Sequence, residues 1–282
     1  MKPNRIFALL SLVVLLLLLY SGTFYWLGKS WISNPYYTHG FLIPLVSGFV
    51  FWTKRRELRQ ATPSKSSAAI LALALFAHLA GLMGDLRFLC ALSFLMVLGG
   101  LILYFCGTKA ARAMAFPLCF LILMIPFPFI DNVGTSLQSL SVHQSASLLE
   151  TMRVPITTEG NEIHTDDASF AIGPACDGVN MLIPLLALAA IFVYVLKGPH
   201  YKRTLILIAA IPAAILANTL RIVSIIVVAD HHGTELATGF FHDFSSLLFY
   251  VVAFLALILI SGLLGCRLKN DPAEGSTKEQ NA

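Results

Sequence analysis

Three residues of this sequence have side chains suited to chemistry on a carbonyl: Cys176, Arg221 and His242. Cys176 sits in Gly173-Pro174-Ala175-Cys176-Asp177-Gly178-Val179-Asn180, directly before an apolar run. Unpaired amides and the dipole of a helix start favour the thiolate, lowering such a cysteine below its usual pKa of about 8.5. The same local features serve a purely structural cysteine equally well. Arg221 lies in Ala217-Asn218-Thr219-Leu220-Arg221-Ile222, inside another apolar run. An ionisable residue at membrane depth is costly and marks a functional site, unless it only snorkels to the headgroups. His242, in Gly239-Phe240-Phe241-His242-Asp243-Phe244, opens the last apolar run. Histidine is the natural proton carrier near neutral pH.

The elements that must gather these residues are membrane helices. Of the 282 residues, 57% are hydrophobic and only 12% charged, with a mean hydropathy of +0.79. A soluble domain carries about 25% charged residues, so an ordinary globular core is excluded. Eight apolar spans are expected: Ile6–Leu27, Gly40–Trp52, Ala68–Gly84, Phe88–Cys106, Ala113–Ile130, Val179–Leu196, Thr204–Ala229 and Ser245–Leu264. The first is too long for a secretory signal and no small-residue cleavage site follows it, so it reads as retained. The net charge of +4 is spread over short clusters between spans, which gives no nucleic-acid surface.

Those clusters set the topology. Fifteen of the 19 basic residues fall at the N-terminus, at Lys54–Lys65, at Lys109 and Arg112, at Lys197–Arg203 and from Arg267 onward. They occupy every second loop, as eight spans with both termini in the cytoplasm require. Cys176, Arg221 and His242 then belong to three different helices yet map to the outer side. Arg221 lies about 25 Å from the inner end of its span at 1.5 Å per residue.

The fold class is therefore all-α, a polytopic membrane bundle of about eight helices. Residues 1–266 form a single transmembrane domain, and residues 267–282 a disordered cytoplasmic tail. The outer loop 131–178 carries Val133, Leu137, Leu140, Gln144 and Leu148 at helical spacing, which predicts an amphipathic helix at the membrane interface. After it, Val154–Thr158 and Glu162–Thr165 flank Glu159-Gly160-Asn161, a small hairpin. No cofactor or metal is expected. The five cysteines form no C-x-x-C pair, and His39, His143, His164, His231 and His232 form no zinc-binding motif.

Four motifs in this order resemble the exosortase/archaeosortase family of polytopic membrane cysteine transpeptidases and proteases. They are Ala175-Cys176-Asp177-Gly178 before a span, Asn218-Thr219-Leu220-Arg221-Ile222 inside the next, and His242 opening the last. The fourth is Tyr36-Tyr37-Thr38-His39-Gly40-Phe41-Leu42, followed by a span ending in Trp52-Thr53-Lys54-Arg55-Arg56, similar to bacterial exosortases. The likeness covers roughly residues 30–265. It departs at Asp177, where the family often has serine.

The resemblance implies an enzyme of the bacterial inner membrane that cleaves C-terminal sorting signals of secreted proteins at the outer face. Its partners would be proteins ending in a short motif, a transmembrane helix and a basic cluster, together with the bilayer and a lipid, an amine or water as acceptor. Cys176 would attack the scissile carbonyl and form a thioester, His242 would move the proton, and Arg221 would hold the thiolate or the oxyanion. Asn218, His39 and Asp177 would bind substrate. Three other readings compete. A transporter or a non-enzymatic assembly subunit would also account for an intramembrane Arg221, and a thiol–disulfide oxidoreductase would need Cys90 as partner.

Overall fold

The structure is a computed structural model that describes residues 3–59, 67–166, 168–173 and 176–268. The chain divides into two compact units, Met1–Pro128 and Phe129–Ala282. Among the described residues the protein is mostly helical, as its composition requires.

In the first unit, α1 (Pro3–Leu19) and α2 (Ser21–Ser33) meet at Tyr20 with a bend of 63°. The expected first span is therefore broken. Its cause is the tyrosine, which is fully buried between α4 (Ser67–Met83) and α5 (Arg87–Ala113). Its hydroxyl lies 3.1 Å from Ser93 Oγ and its ring 4.3 Å from that of His78. The hydroxyl contact pairs two polar groups that would otherwise be stranded in an apolar interior. A 3₁₀ helix (Pro35–Phe41) leads into α3 (Leu42–Thr53), and α6 (Ala115–Phe120) continues as a 3₁₀ turn over Leu121–Met124. Pro117, Pro126 and Pro128 keep the expected span Ala113–Ile130 from forming one helix. Two side chains bond to carbonyls of this broken segment. Trp31 Nε1 donates to Met124 O at 2.8 Å and Ser47 Oγ to Pro117 O at 2.8 Å.

In the second unit, α7 (Ile130–Thr151) leads into a small antiparallel sheet of β1 (Thr157–Glu159), β2 (Glu162–His164) and β3 (Ser169–Ala171), in the order β1-β2-β3. The expected hairpin is present, with Gly160 at φ +60° in its turn, and gains a third strand. Then come α8 (Val179–Val195), β4 (Leu196–Lys197), α9 (His200–His232), α10 (Thr234–Thr238), α11 (Phe240–Leu263) and β5 (Arg267–Leu268). Arg267 and Leu268, at the start of the tail, pair with Lys197 and Leu196, while residues 269–282 lie outside the described residues.

The 33-residue α9 is the axis of this unit, with α7, α8, α10 and α11 all packed on it. One half of its buried face is an alanine seam of Ala210, Ala214 and Ala217 against Leu185, Ala189, Ala253 and Leu257. Small residues let helices approach closely where lipid supplies no hydrophobic drive between them. The other half is branched, with Ile222, Val223 and Ile226 against Val142, Leu149, Ile163 and Ile172.

Three helices among the described residues are long and apolar enough to cross a membrane: Arg87–Ala113, His200–His232 and Phe244–Leu263. The bent α1–α2 pair makes a fourth, and Ser67–Met83, Ala115–Met124 and Val179–Val195 are shorter apolar helices. The count of eight full-length spans is not reproduced. The expected second span, for one, is a 12-residue helix about 18 Å long at 1.5 Å per residue.

Candidate active site

Cys176, Arg221 and His242 meet in the second unit. Cys176 Sγ lies 3.5 Å from His242 Nε2, and Arg221 Nη2 lies 3.0 Å from the same nitrogen. Each side chain comes from a different element: the loop before α8, the buried face of α9 and the first turn of α11. Arg221 is 4% exposed, so this cation is held inside the protein and does not snorkel.

Local structure fixes the loop that carries the thiol. Gly178 takes φ +94°, a conformation costly for other residues. A Cβ there would also come within 3.3 Å of Asn218 Nδ2. Asp177 is buried, and its Oδ1 accepts the first free amide of α8, Val179 N–H, at 2.9 Å. Asn218 Nδ2 donates both to the Cys176 carbonyl at 2.9 Å and to Ser141 Oγ at 3.0 Å. The asparagine thus ties the nucleophile's own backbone to α9 and α7. One residue on, Thr219 Oγ1 donates to Gln144 Oε1 at 2.9 Å, and Gln138 Nε2 donates to the carbonyl of Ile172.

The face that α7 buries is Gly134, Ser141, Val142, Ser145, Ala146 and Leu149. The expected stripe of Val133, Leu137, Leu140, Gln144 and Leu148 is at most half-buried. The packing face lies beside the apolar one because close contact with α9 is made through small residues and hydroxyls.

The thiol departs from expectation. Burial pushes Cys176 above the ordinary cysteine range, the Arg221 guanidinium pulls it part of the way back, and Asp177 adds to the rise. Asp177 also occupies the leading amide of α8. At rest the sulfur is therefore a thiol. Arg221 carries only donors, so a short contact with Nε2 means that this nitrogen accepts and the imidazole proton sits on Nδ1.

A cavity of about 300 Å³ opens beside the pair, lined by β3 and Gly173 on one side, Ile222, Ile225 and Ile226 of α9 on another, and Cys176 and His242. Asn218 and Asp177 do not line it; their contacts are to the chain itself. His39 belongs to the first unit, in the 3₁₀ helix Pro35–Phe41, where its ring stacks on Tyr37 at 6.1 Å and burial pushes it below the usual histidine range. His231 and His232 are exposed at the end of α9. Sequence reasoning missed Ser141 and Gln138, and read Gln144 only as part of a helical stripe. The signal for Ser141 was the run of Gly134, Ser141 and Ser145 at helical spacing.

The family model for transmembrane exosortases matches residues 31–259, most of the chain. The chain belongs to that family. No curated protein and no solved structure matches it.

Proposed function

We propose that this transmembrane exosortase is a cysteine peptidase or transpeptidase that removes C-terminal sorting signals from secreted proteins through a thioester on Cys176. One observation carries the reading: a thiol, an imidazole and a buried guanidinium from three elements converge at 3.5 and 3.0 Å beside a cavity. Nucleophile and base within hydrogen-bond reach, with a third group orienting the base, is the arrangement covalent acyl transfer needs.

The steps follow from the residue types. Cys176 S–H gives its proton to His242 Nε2 as the sulfur adds to the scissile carbonyl. The oxygen takes up negative charge, which the buried Arg221 stabilises at short range. The C–N bond then breaks, and His242 returns its proton to the leaving amine. A second nucleophile (water, an amine or a lipid headgroup) loses its proton to His242, attacks the thioester and frees the sulfur. The substrate is a protein with a short motif, a transmembrane helix and a basic cluster, and cleavage takes place at the outer face of a bacterial inner membrane. Both termini of the enzyme face the cytoplasm, as the basic clusters favour.

The test is a survey of C-terminal peptides from envelope proteins of the host, comparing wild type with Cys176→Ala. A set of proteins should keep its C-terminal membrane helix only in the variant, and the trimmed ends would define the motif. Identical surveys, with the protein expressed in both, would sink the sorting-enzyme reading and favour a transporter or assembly role built on Arg221.

A further inference from the structure

The strand beside the thiol has an open edge. In the β2–β3 ladder the partners are Glu162 with Ala171, Ile163 with Phe170 and His164 with Ser169. Just beyond the strand ends, Ile172 N–H bonds to Asn161 O and Thr165 N–H to Ala168 O. In an antiparallel ladder hydrogen-bonded and non-hydrogen-bonded pairs alternate. Phe170 is therefore the residue of β3 that bonds inward to β2, while the N–H and C=O groups of Ser169 and Ala171 point off the far edge. The Ala171 carbonyl is taken by Gly173 N–H at 3.0 Å. That leaves the N–H and C=O of Ser169 and the N–H of Ala171 along the edge, at two exposed residues. Among the described residues β3 is the last strand of its sheet.

The position of this edge makes it informative. Ser169 to Gly173 form one wall of the cavity whose other members include Cys176 and His242. The strand runs from there into the nucleophile loop, where Cys176 N–H bonds back to Gly173 O at 2.9 Å. Backbone pairing along β3 would thus present a peptide carbonyl close to the sulfur. Facing the strand, Ile222, Ile225 and Ile226 supply apolar wall but no backbone donors, since α9 uses its own.

We infer that β3 is the docking strand for the substrate: the extended segment holding the scissile bond adds as a fourth strand to the open edge at Ser169 and Ala171. This rests on the peptidase reading of the same site. Affinity comes from main-chain hydrogen bonds, and only alternate residues of the substrate make them.

That alternation is what the experiment reads. The full-length protein in detergent micelles is treated with acetyl-tetra-alanyl chloromethyl ketone, in which a C–S bond to Cys176 forms as chloride leaves. A series of the same peptide carries one N-methyl group on each amide in turn, and labelling is followed by intact mass, with iodoacetamide labelling of Cys176 as reference. Methylation should slow labelling about tenfold at alternate amides and about twofold or less at those between, the loss expected for a hydrogen bond left unmade. Ala171→Pro removes an outward N–H and no bond to β2, and should lower the ratio of peptide to iodoacetamide labelling about tenfold. A uniform or aperiodic effect of methylation, with Cys176 still labelled by iodoacetamide in a His242-dependent way, overturns the docking strand and leaves the peptidase reading standing. Failure of iodoacetamide to label Cys176 in the folded protein overturns the peptidase reading itself.

Discussion

Asn218 is the residue whose role the geometry separates most sharply from a substrate contact. It is 1% exposed, and its two amide protons go to the Cys176 carbonyl at 2.9 Å and to Ser141 Oγ at 3.0 Å. Asn218→Leu keeps the bulk and removes both donors. A buried acceptor stranded in this way costs about 1–3 kcal/mol. The Ser141 hydroxyl can turn to a carbonyl of its own helix, so most of the cost falls on the Cys176 carbonyl, for a total of roughly 2–4 kcal/mol. Ser141→Ala alone loses one neutral hydrogen bond and should cost about 1 kcal/mol. In the double variant the Ser141 loss has already been incurred, so the two effects should fall short of additive by roughly 1 kcal/mol.

The assay is unfolding in detergent micelles for wild type, the two single variants and the double variant, with peptide processing measured alongside. Asn218→Leu should lose both stability and processing, because the loop that carries the sulfur comes free. A substrate-binding asparagine would behave otherwise: stability unchanged, no coupling to Ser141, and a raised KM with kcat preserved. That outcome would refute the positioning role.

Two further predictions concern the charges around the sulfur. Arg221 holds the thiol down against the effect of burial, so Arg221→Met should move the pH profile of Cys176 alkylation to higher pH; an unchanged profile, or a shift to lower pH, would remove the guanidinium from the thiol's surroundings. Asp177 pushes the thiol up and accepts Val179 N–H, a bond that serine also makes well at a helix start. Asp177→Ser should therefore keep the unfolding temperature within a few degrees while shifting alkylation to lower pH, whereas a large loss of stability would show that the buried carboxylate has partners a hydroxyl cannot replace.

How much of this was legible in the sequence depended on how local the signal was. An arginine in an apolar run, a cysteine before one and a histidine opening another can each be read from a few neighbours, and the charge clusters give the expectation that they share one side. Their convergence on one nitrogen is a property of how α9 packs, which no local pattern carries. The hairpin was legible through Glu159-Gly160-Asn161, but β3 was not: Ser169-Phe170-Ala171 is too short to show alternation. From the sequence α7 reads as an amphipathic helix at the membrane interface, and the face it packs on α9 was not anticipated. Against a neighbouring membrane helix, glycine, serine and alanine pack best, and here Ser141 also supplies a hydrogen bond. The direction of the thiol's shift was misread because its largest cause is burial, and how deeply a loop cysteine is buried is settled by the fold and not by its neighbours in sequence.

The resting site raises a question that its own geometry answers. One lone pair on His242 Nε2 faces two donors, the Cys176 thiol at 3.5 Å and the Arg221 guanidinium at 3.0 Å. While the guanidinium holds it, the imidazole is a poor base toward the sulfur, and burial keeps the sulfur protonated. The thiol and the guanidinium thus compete for one lone pair, and proton transfer from the sulfur becomes easier as Arg221 lets go. Only a hydrogen-bond acceptor arriving within its reach can draw the guanidinium away, and a scissile carbonyl laid along β3 is such an acceptor. Once the proton has moved to Nε2, that nitrogen is a donor on a cation and repels the guanidinium, so Arg221 is driven toward the sulfur or the new oxyanion. Under the proposed mechanism, then, the group that stabilises the transition state is also the one that blocks the base at rest. The substrate converts one role into the other.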